Sequence, residues 1–434
     1  MNRNKFLKNT LLLVLGGFLT KIIRFITKIL YTRYLKSEGV SLVTLTFPTY
    51  ALLLTISSFA LPLAVTKLTA ENKKRKSKIL FSSFWITSFI NIVIIILTFM
   101  LSDLFATKVL HEPRCAIFLK ILCLTLPFIS TTSLIKAYFF GVENVIPIVI
   151  SNVLEEIIKL SMVIIFLPKF IEKSIMAGVT FYLIINFFCE VISFFSLYIF
   201  LPRKIKYKKL EYKYDSKCGS DMAKICIPTL SGKLIGNIGF FFEPIILTNL
   251  LLYKGYTSSY IRLNYGYFQG YVIALLTIPS FYLLAFSNNI IPLITKLKAS
   301  NKIKEIKKII KKIISITLVG GIFFTLILRL YGLKLMLILY KTTNGYIYLI
   351  KLLPFFILFY LESPLLSILQ SLDQEKKVLR ITTYGIIVKY LSLATLILFN
   401  VGFNSLVISE IINIIFVILI STYYLKKYFY RLSR

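Results

Sequence analysis

The sequence predicts an all-α polytopic membrane protein of about 12 transmembrane helices, arranged as two parallel-repeat six-helix bundles around a central cavity. Composition, the spacing of apolar segments and an internal repeat lead to this expectation. Of 434 residues, 57% are hydrophobic and only 16% charged, with a mean hydropathy of +0.81, which excludes an ordinary soluble globule. Stretches long enough to cross a bilayer, which needs about 20 apolar residues, recur near 8–35, 41–68, 79–102, 116–140, 145–168 and 174–200. A second set follows near 223–252, 266–295, 309–331, 346–370, 378–400 and 404–425. Near the end of the second span the chain reads PLAVTKLTAEN (62–72), and near the end of the eighth PLITKLKASN (292–301), so that Lys67 aligns with Lys296. An even number of spans separates the two copies, so they share an orientation and the halves are parallel repeats facing each other across a cavity.

The chain opens on MNRNKFLK without a small-residue cleavage site after the apolar run, as an uncleaved signal anchor does. Leu11 to Leu19 is too short to span, which places Lys21, Arg24 and Lys28 inside the first span. At about 100° per residue these three occupy a sector of roughly 60°, with Ile22, Ile26, Ile29 and Leu30 on the other faces. A basic side chain at mid-bilayer costs at least about 2.5–3.5 kcal/mol, so the stripe is expected to face a wet cavity. A second reading has Lys28 and Arg33 snorkelling to the outer surface while Lys21 and Arg24 pair with acids elsewhere.

Orientation follows from the connectors. The chain has 52 Lys and Arg against 18 Asp and Glu, and the excess gathers in KKRKSK (73–78), PRKIKYKK (202–209), the basic run 296–312 and the tail KKYFYRLSR. The segments 102–114 and 253–266 are much poorer in Lys and Arg, so both termini are expected on the cytoplasmic side of a bacterial cytoplasmic membrane. Short basic connectors between apolar spans fit a membrane better than a nucleic-acid partner. The longest cytoplasmic connector, 201–222, divides the chain into an N-terminal six-helix bundle, 1–200, and a C-terminal one, 223–434.

Charge also interrupts later spans. On the fifth, Glu155 and Lys159 are spaced for a local i, i+4 pair, or Glu155 faces the first-span stripe as a gate or ion-coupling group, with Glu156 beside it. On the seventh, Lys233 is a second cavity candidate and Glu243 a gating candidate, while Gly232, Gly236 and Gly239 permit close packing. Lys67 and Lys296, at equivalent inner helix ends, complete the gating set. Lys120, Lys136, Glu190, Glu362, Lys389 and Glu410 are further intramembrane charges that the sequence does not pair. Five cysteines without CxxC spacing and a single histidine, His111, indicate neither a zinc site nor a disulfide framework, and Cys123 and Cys189 read as small core residues.

The strings 36–71, LHEPR (110–114), 138–160 and ILQSLDQEKK (368–377) resemble the polysaccharide flippases of the stage V sporulation protein B type. These are related to lipid II flippases and to multidrug and toxin extruders. Glu38–Gly39, Phe47–Pro48, Pro62 with Lys67 and Glu71, and Gly141 with Pro147, Ser151 and Glu155 occur in the family's order. The resemblance implies a translocator of lipid-linked oligosaccharide or peptidoglycan precursor, in spore envelope or cell-wall formation. It also implies alternating access, a cationic cavity and a coupling ion, Na+ or H+. Lys21, Lys28 and Arg33 match the family's basic positions, Arg24 stands where relatives often have glycine, and the two extra C-terminal spans of some relatives are not seen.

Other function classes fit less well. A pyrophosphate-linked lipid such as an undecaprenyl carrier requires cations in a thinly hydrated cavity. A cation-coupled drug antiporter wants carboxylates in the first span, and none precedes Glu38. An enzyme needs a general acid and base in a wet loop, where the chain offers His111 beside Glu112. A scaffold has no need of charge buried in many spans. No cofactor is expected.

Overall fold

Because every backbone N–H and C=O inside a bilayer needs an internal partner, the apolar stretches are bound to be helices. The computed structural model describes residues 3–71, 75–202, 214–279, 294–295, 297–298, 300 and 302–432, and among them regular structure is helical throughout. In order the helices are α1 (Arg3–Ser58), α2 (Leu61–Glu71), α3 (Lys76–Leu104), α4 (Cys115–Gly141), α5 (Ile146–Ile165), α6 (Leu167–Lys173) and α7 (Ile175–Phe200). There follow α8 (Ser216–Tyr253), α9 (Ser258–Tyr265), α10 (Ala274–Leu276), α11 (Ile303–Tyr340), α12 (Tyr346–Ser371), α13 (Glu375–Leu398) and α14 (Asn404–Leu432). Among the described residues two π-helical segments, Phe105–Val109 and Gly266–Ile273, extend α3 and join α9 to α10.

Nine described helices are long and apolar enough to cross a membrane. The twelve expected spans differ from that number for identifiable reasons. The first two are one continuous element, bent at Lys36 (φ 53°, ψ −171°). The fifth carries Glu155, Glu156 and Lys159, and the eighth runs into residues outside the described set. The second span has a feature the sequence did not announce beyond Pro62. Phe59 and Ala60 both take positive φ, 46° and 53°, so the chain breaks between α1 and α2. Non-glycine residues there cost on the order of 1–3 kcal/mol each, and broken helices are tolerated at membrane depth only where they line a cavity or are covered by protein.

The chain divides into two compact units, residues 1–241 and 242–434. In the first, α1 packs on α4, α5 and α7, and α4 packs on α2, α3 and α7. Gly141 allows α2 its close approach to α4, since a Cβ there would lie 2.7 Å from Thr69 Cβ and 2.9 Å from the Thr66 carbonyl. Cys218, Met222 and Cys226 join the core built on Leu61, Val65 and Leu134, so the amino-terminal part of α8 belongs to this unit. In the second unit α12 is central, packing on α11 and α14, and α13 packs on α14. The five cysteines are buried. Large apolar side chains such as Phe89 and Leu330 are 70% and 72% exposed, as suits a lipid-facing surface.

Candidate functional site

On α1 the stripe forms as the helical period requires. Thr20 and Thr27 are buried and bond back to the carbonyls of Gly16 and Ile23, so their sector turns inward. Lys21 and Arg24 are exposed, and Lys28 is half-buried. Arg24 meets Glu156 of α5: its Nε donates to Oε1 at 2.7 Å, and Nη2 lies 2.5 Å from the same oxygen. The two ends of this pair differ sharply, since the Glu156 side chain is 2% exposed and that of Arg24 65%. A buried carboxylate therefore anchors the guanidinium from inside while donors remain on its open side. Glu156 Oε2 has no hydrogen-bond partner among the described residues.

Glu155, one residue earlier, turns to another element and lies 3.8 Å from Lys136 Nζ of α4. The acid that meets the stripe is thus Glu156, not Glu155. Lys159 does not complete the local pair with Glu155 that the spacing allowed; its Nζ lies 5.9 Å from the centroid of the Tyr182 ring, which itself stacks on Tyr31. Glu190, half-buried on α7, lies within electrostatic reach of Glu155, Lys136, Lys159 and Arg24. Among the described residues of this unit, Lys120 is paired with Asp103, and Lys21, Arg24, Lys28, Lys136, Lys159 and Lys233 outnumber Glu155, Glu156 and Glu190. Among the described residues no carboxylate pairs with Lys28 or Lys233. Lys233 is exposed on α8, one turn before Asn237, whose amide donates to Thr55 Oγ1 at 2.9 Å. Lys67 is exposed near the end of α2. Lys296 and half of the second copy of the repeat, 292–301, lie outside the described residues.

The second unit contains a cluster that no local spacing signals. Glu243 of α8 is 1% exposed and accepts from Tyr265 Oη at 3.1 Å, Gln269 Nε2 at 2.5 Å and Lys389 Nζ at 2.5 Å. Lys389, on α13, also lies 2.6 Å from Glu410 of α14, and their side chains are 13% and 15% exposed. Gln269 sits in the Gly266–Ile273 π-helical segment, a local geometry that often re-aims side chains at functional positions. Glu243 is therefore fully engaged: one ammonium bridges two carboxylates from different helices.

A third constellation joins two of the sequence motifs. Arg114 of LHEPR donates Nε to Glu112 Oε1 at 2.7 Å, Nη2 to Glu112 Oε2 at 3.0 Å and Nη1 to Glu38 Oε1 at 2.8 Å. Its hydrogen bond to Glu112, then that to Glu38, push the Arg114 pKa further above its ordinary value. His111, with φ 52°, stands in the turn that makes this clasp. It fastens the connector after α3 to the bend in α1, which gives the Glu38–Gly39 and LHEPR motifs a shared structural reason.

The chain matches, over residues 6–298, the family described as polysaccharide biosynthesis protein. It is 28% identical to stage V sporulation protein B of Bacillus subtilis (strain 168), covering 90% of this chain and 77% of that protein. Sporulation protein YkvU of the same organism is 23% identical, with 86% of this chain and 84% of that one covered. Among solved structures, an inward-facing multidrug resistance MATE family transporter of the MOP superfamily superposes with a TM-score of 0.80 at 11% identity, covering 95% of each chain. A MOP superfamily transporter from Pyrococcus furiosus, whose binding pocket is described as having reverse polarity, gives 0.67 at 12% identity over 99% of this chain and 96% of that one. The chain therefore has the fold of these solved transporters.

Proposed function

The chain belongs to the polysaccharide biosynthesis protein family, and from that membership we propose that it flips a lipid-linked oligosaccharide or peptidoglycan precursor outward across the cytoplasmic membrane by alternating access. Family and fold are those of a membrane transporter and not of an enzyme. In this reading Lys21, Arg24, Lys28 and Lys233 hold the anionic headgroup of an undecaprenyl-pyrophosphate type lipid. Glu155, Glu243, Lys67 and Lys296 serve gating or coupling, with Na+ or H+ as coupling ion, and both termini are cytoplasmic.

The observation that carries the reading is the Arg24–Glu156 pair, buried at its acidic end and open at its basic end. An ion pair that buries both partners, as Lys389 and Glu243 do, is closed to a ligand. One that presents a guanidinium on a lysine stripe suits a group that binds anions reversibly. The pocket polarity named for the Pyrococcus furiosus protein belongs to that protein. It supports the idea that charge, more than fold, distinguishes substrates within the superfamily, and here no carboxylate precedes Glu38.

Each charge-assisted contact to a pyrophosphate contributes roughly 1.5–3 kcal/mol, or about one to two orders of magnitude in affinity. Binding of undecaprenyl pyrophosphate and of undecaprenol to the purified protein tests this. The expected result is a large preference for the pyrophosphate, reduced tenfold or more by Arg24→Ala and by Lys21→Gln. Equal binding of the two lipids, or an unchanged preference in both variants, would refute the reading.

A further inference from the structure

Helix α11 has 38 residues, about 57 Å at 1.5 Å per residue, against a hydrocarbon core of about 30 Å. Its amino-terminal turns alternate charge with apolar side chains: Lys304, Lys307, Lys308, Lys311 and Lys312 are exposed, while Ile306, Ile310 and Ile313 are buried in the core of the second unit. The uninterrupted apolar run starts only afterwards. Such a helix places its basic turns at the level of lipid headgroups and its apolar run in the bilayer.

Helices α11 and α14 both pack on α12, and a slot of about 520 Å³ remains between residues 307–315 of one and 425–430 of the other. That volume lies within the range of about 300–1,000 Å³ usual for small-ligand sites. Its floor is apolar, formed by Ile310 and Ile314 and closed by Phe429, and its rim carries Lys307, Lys311 and Lys426. Lys307 Nζ stands 5.4 Å from the centroid of the Phe429 ring, so the cation and the apolar wall belong to one surface. Among the described residues no carboxylate lines the slot.

We propose that this slot is a binding site for an anionic phospholipid of the same leaflet, with its phosphate among Lys307, Lys311 and Lys426 and an acyl chain over Ile310 and Ile314 toward Ser315. A soluble anion would leave the apolar floor wet, and a zwitterionic lipid would set its own cation against three ammonium groups. Each lysine near a headgroup is worth about fivefold in affinity, and three together on the order of 100-fold. The site is built from other residues than the stripe of the first unit and does not depend on the transport reading.

Titration of phosphatidylglycerol into the delipidated, detergent-solubilised full chain, with bound lipids counted by native mass spectrometry, tests the proposal without any translocation step. The first phosphatidylglycerol should bind on the order of 100-fold more weakly to Lys307→Gln/Lys311→Gln/Lys426→Gln, while Lys304→Gln/Lys308→Gln/Lys312→Gln, which loses equal charge from the same helix end, stays within a few-fold of wild type. Ser315→Trp keeps every lysine but fills the apolar end, and it should lose the lipid as well. Thermal unfolding midpoints in lipid-free detergent check that each variant is folded, and should the first triple fail that check, Ser315→Trp carries the test. Equal loss in both triples would show diffuse attraction and no site. Equal retention of phosphatidylcholine, or displacement by inorganic phosphate alone, would overturn the phospholipid assignment. Displacement by an equal amount of undecaprenyl phosphate would give the slot to the transported lipid and overturn it too.

Discussion

Both units bury a carboxylate beneath a cation, yet they expose the pair differently. In the second, Lys389 bridges Glu243 and Glu410 and no member is more than 15% exposed. In the first, Glu156 is as buried as Glu243, but its partner Arg24 is 65% exposed. The same chemistry therefore supports two roles. A fully enclosed ammonium is committed to its carboxylates, and its worth lies in fixing α8, α13 and α14 together. A guanidinium held from one side keeps donors open, which in the function proposed above an exchangeable anion takes. The desolvation of Lys389 is offset only by its two acids, whereas Arg24 remains partly solvated whichever anion it meets.

If Lys389 is a lock, removing it should have the largest effect on stability of any change considered. Lys389→Ala leaves two carboxylates buried without their cation, a loss of about 3–5 kcal/mol, to be read from thermal unfolding in a fixed lipid nanodisc. Adding Glu243→Gln should recover a good part of it, and a single variant as stable as wild type would erase the contrast between the two units. Arg24→Ala strands one carboxylate and should cost about 1–3 kcal/mol. In Arg24→Ala/Glu156→Gln the stability should return while headgroup binding does not, which separates the packing role of the pair from its binding role. Recovery of both would make Arg24 a lock of the Lys389 kind.

How far these arrangements were legible in the sequence depends on the range of the signal. The spans were legible because a bilayer needs about 20 apolar residues and these stretches have them. The stripe was legible because helical period is local. Pairings were not. Glu155 and Glu156 are adjacent, so only the rotation of α5 decides which of them meets Arg24, and the i, i+4 spacing of Glu155 with Lys159 pointed to a contact that Lys136 takes instead. Lys389 is 146 positions from Glu243, beyond any periodic argument. The break at Phe59–Ala60 was hidden for another reason: neither residue is a breaker, although both take positive φ. Of the family motifs, Gly141 now has a steric explanation.

That explanation predicts the next effect. Gly141→Ala forces a Cβ against Thr69 and the Thr66 carbonyl and should cost about 1–3 kcal/mol by overpacking, read as a lowered unfolding midpoint. A neutral result would mean that α2 can shift away from α4. The smallest expected effect is at Asp215, which caps α8. Its Oδ1 accepts from the N–H of Lys217 at 3.0 Å and of Cys218 at 3.3 Å, and these bonds, Cys218 first, hold the carboxyl below its ordinary value. A depressed pKa contributes stability that is complete above the unfolded-state value of about 3.9 and is lost as pH falls through the folded value. Asp215→Ala should therefore cost about 1 kcal/mol near neutral pH, and its gap from wild type should close in acid below about pH 4. A gap that widens in acid would exclude the capping account.

The central claim, that cationic charge in the first unit carries an anionic headgroup, is tested most directly by translocation of a labelled lipid-linked glycan in proteoliposomes. Lys21→Arg is compared with Lys21→Gln, which keeps most of the side-chain length without the cation. At matched reconstituted amounts and unfolding midpoints, Lys21→Arg is expected to retain most of the wild-type rate and Lys21→Gln to lose about tenfold or more. Wild-type translocation by a well-folded Lys21→Gln protein would contradict the account.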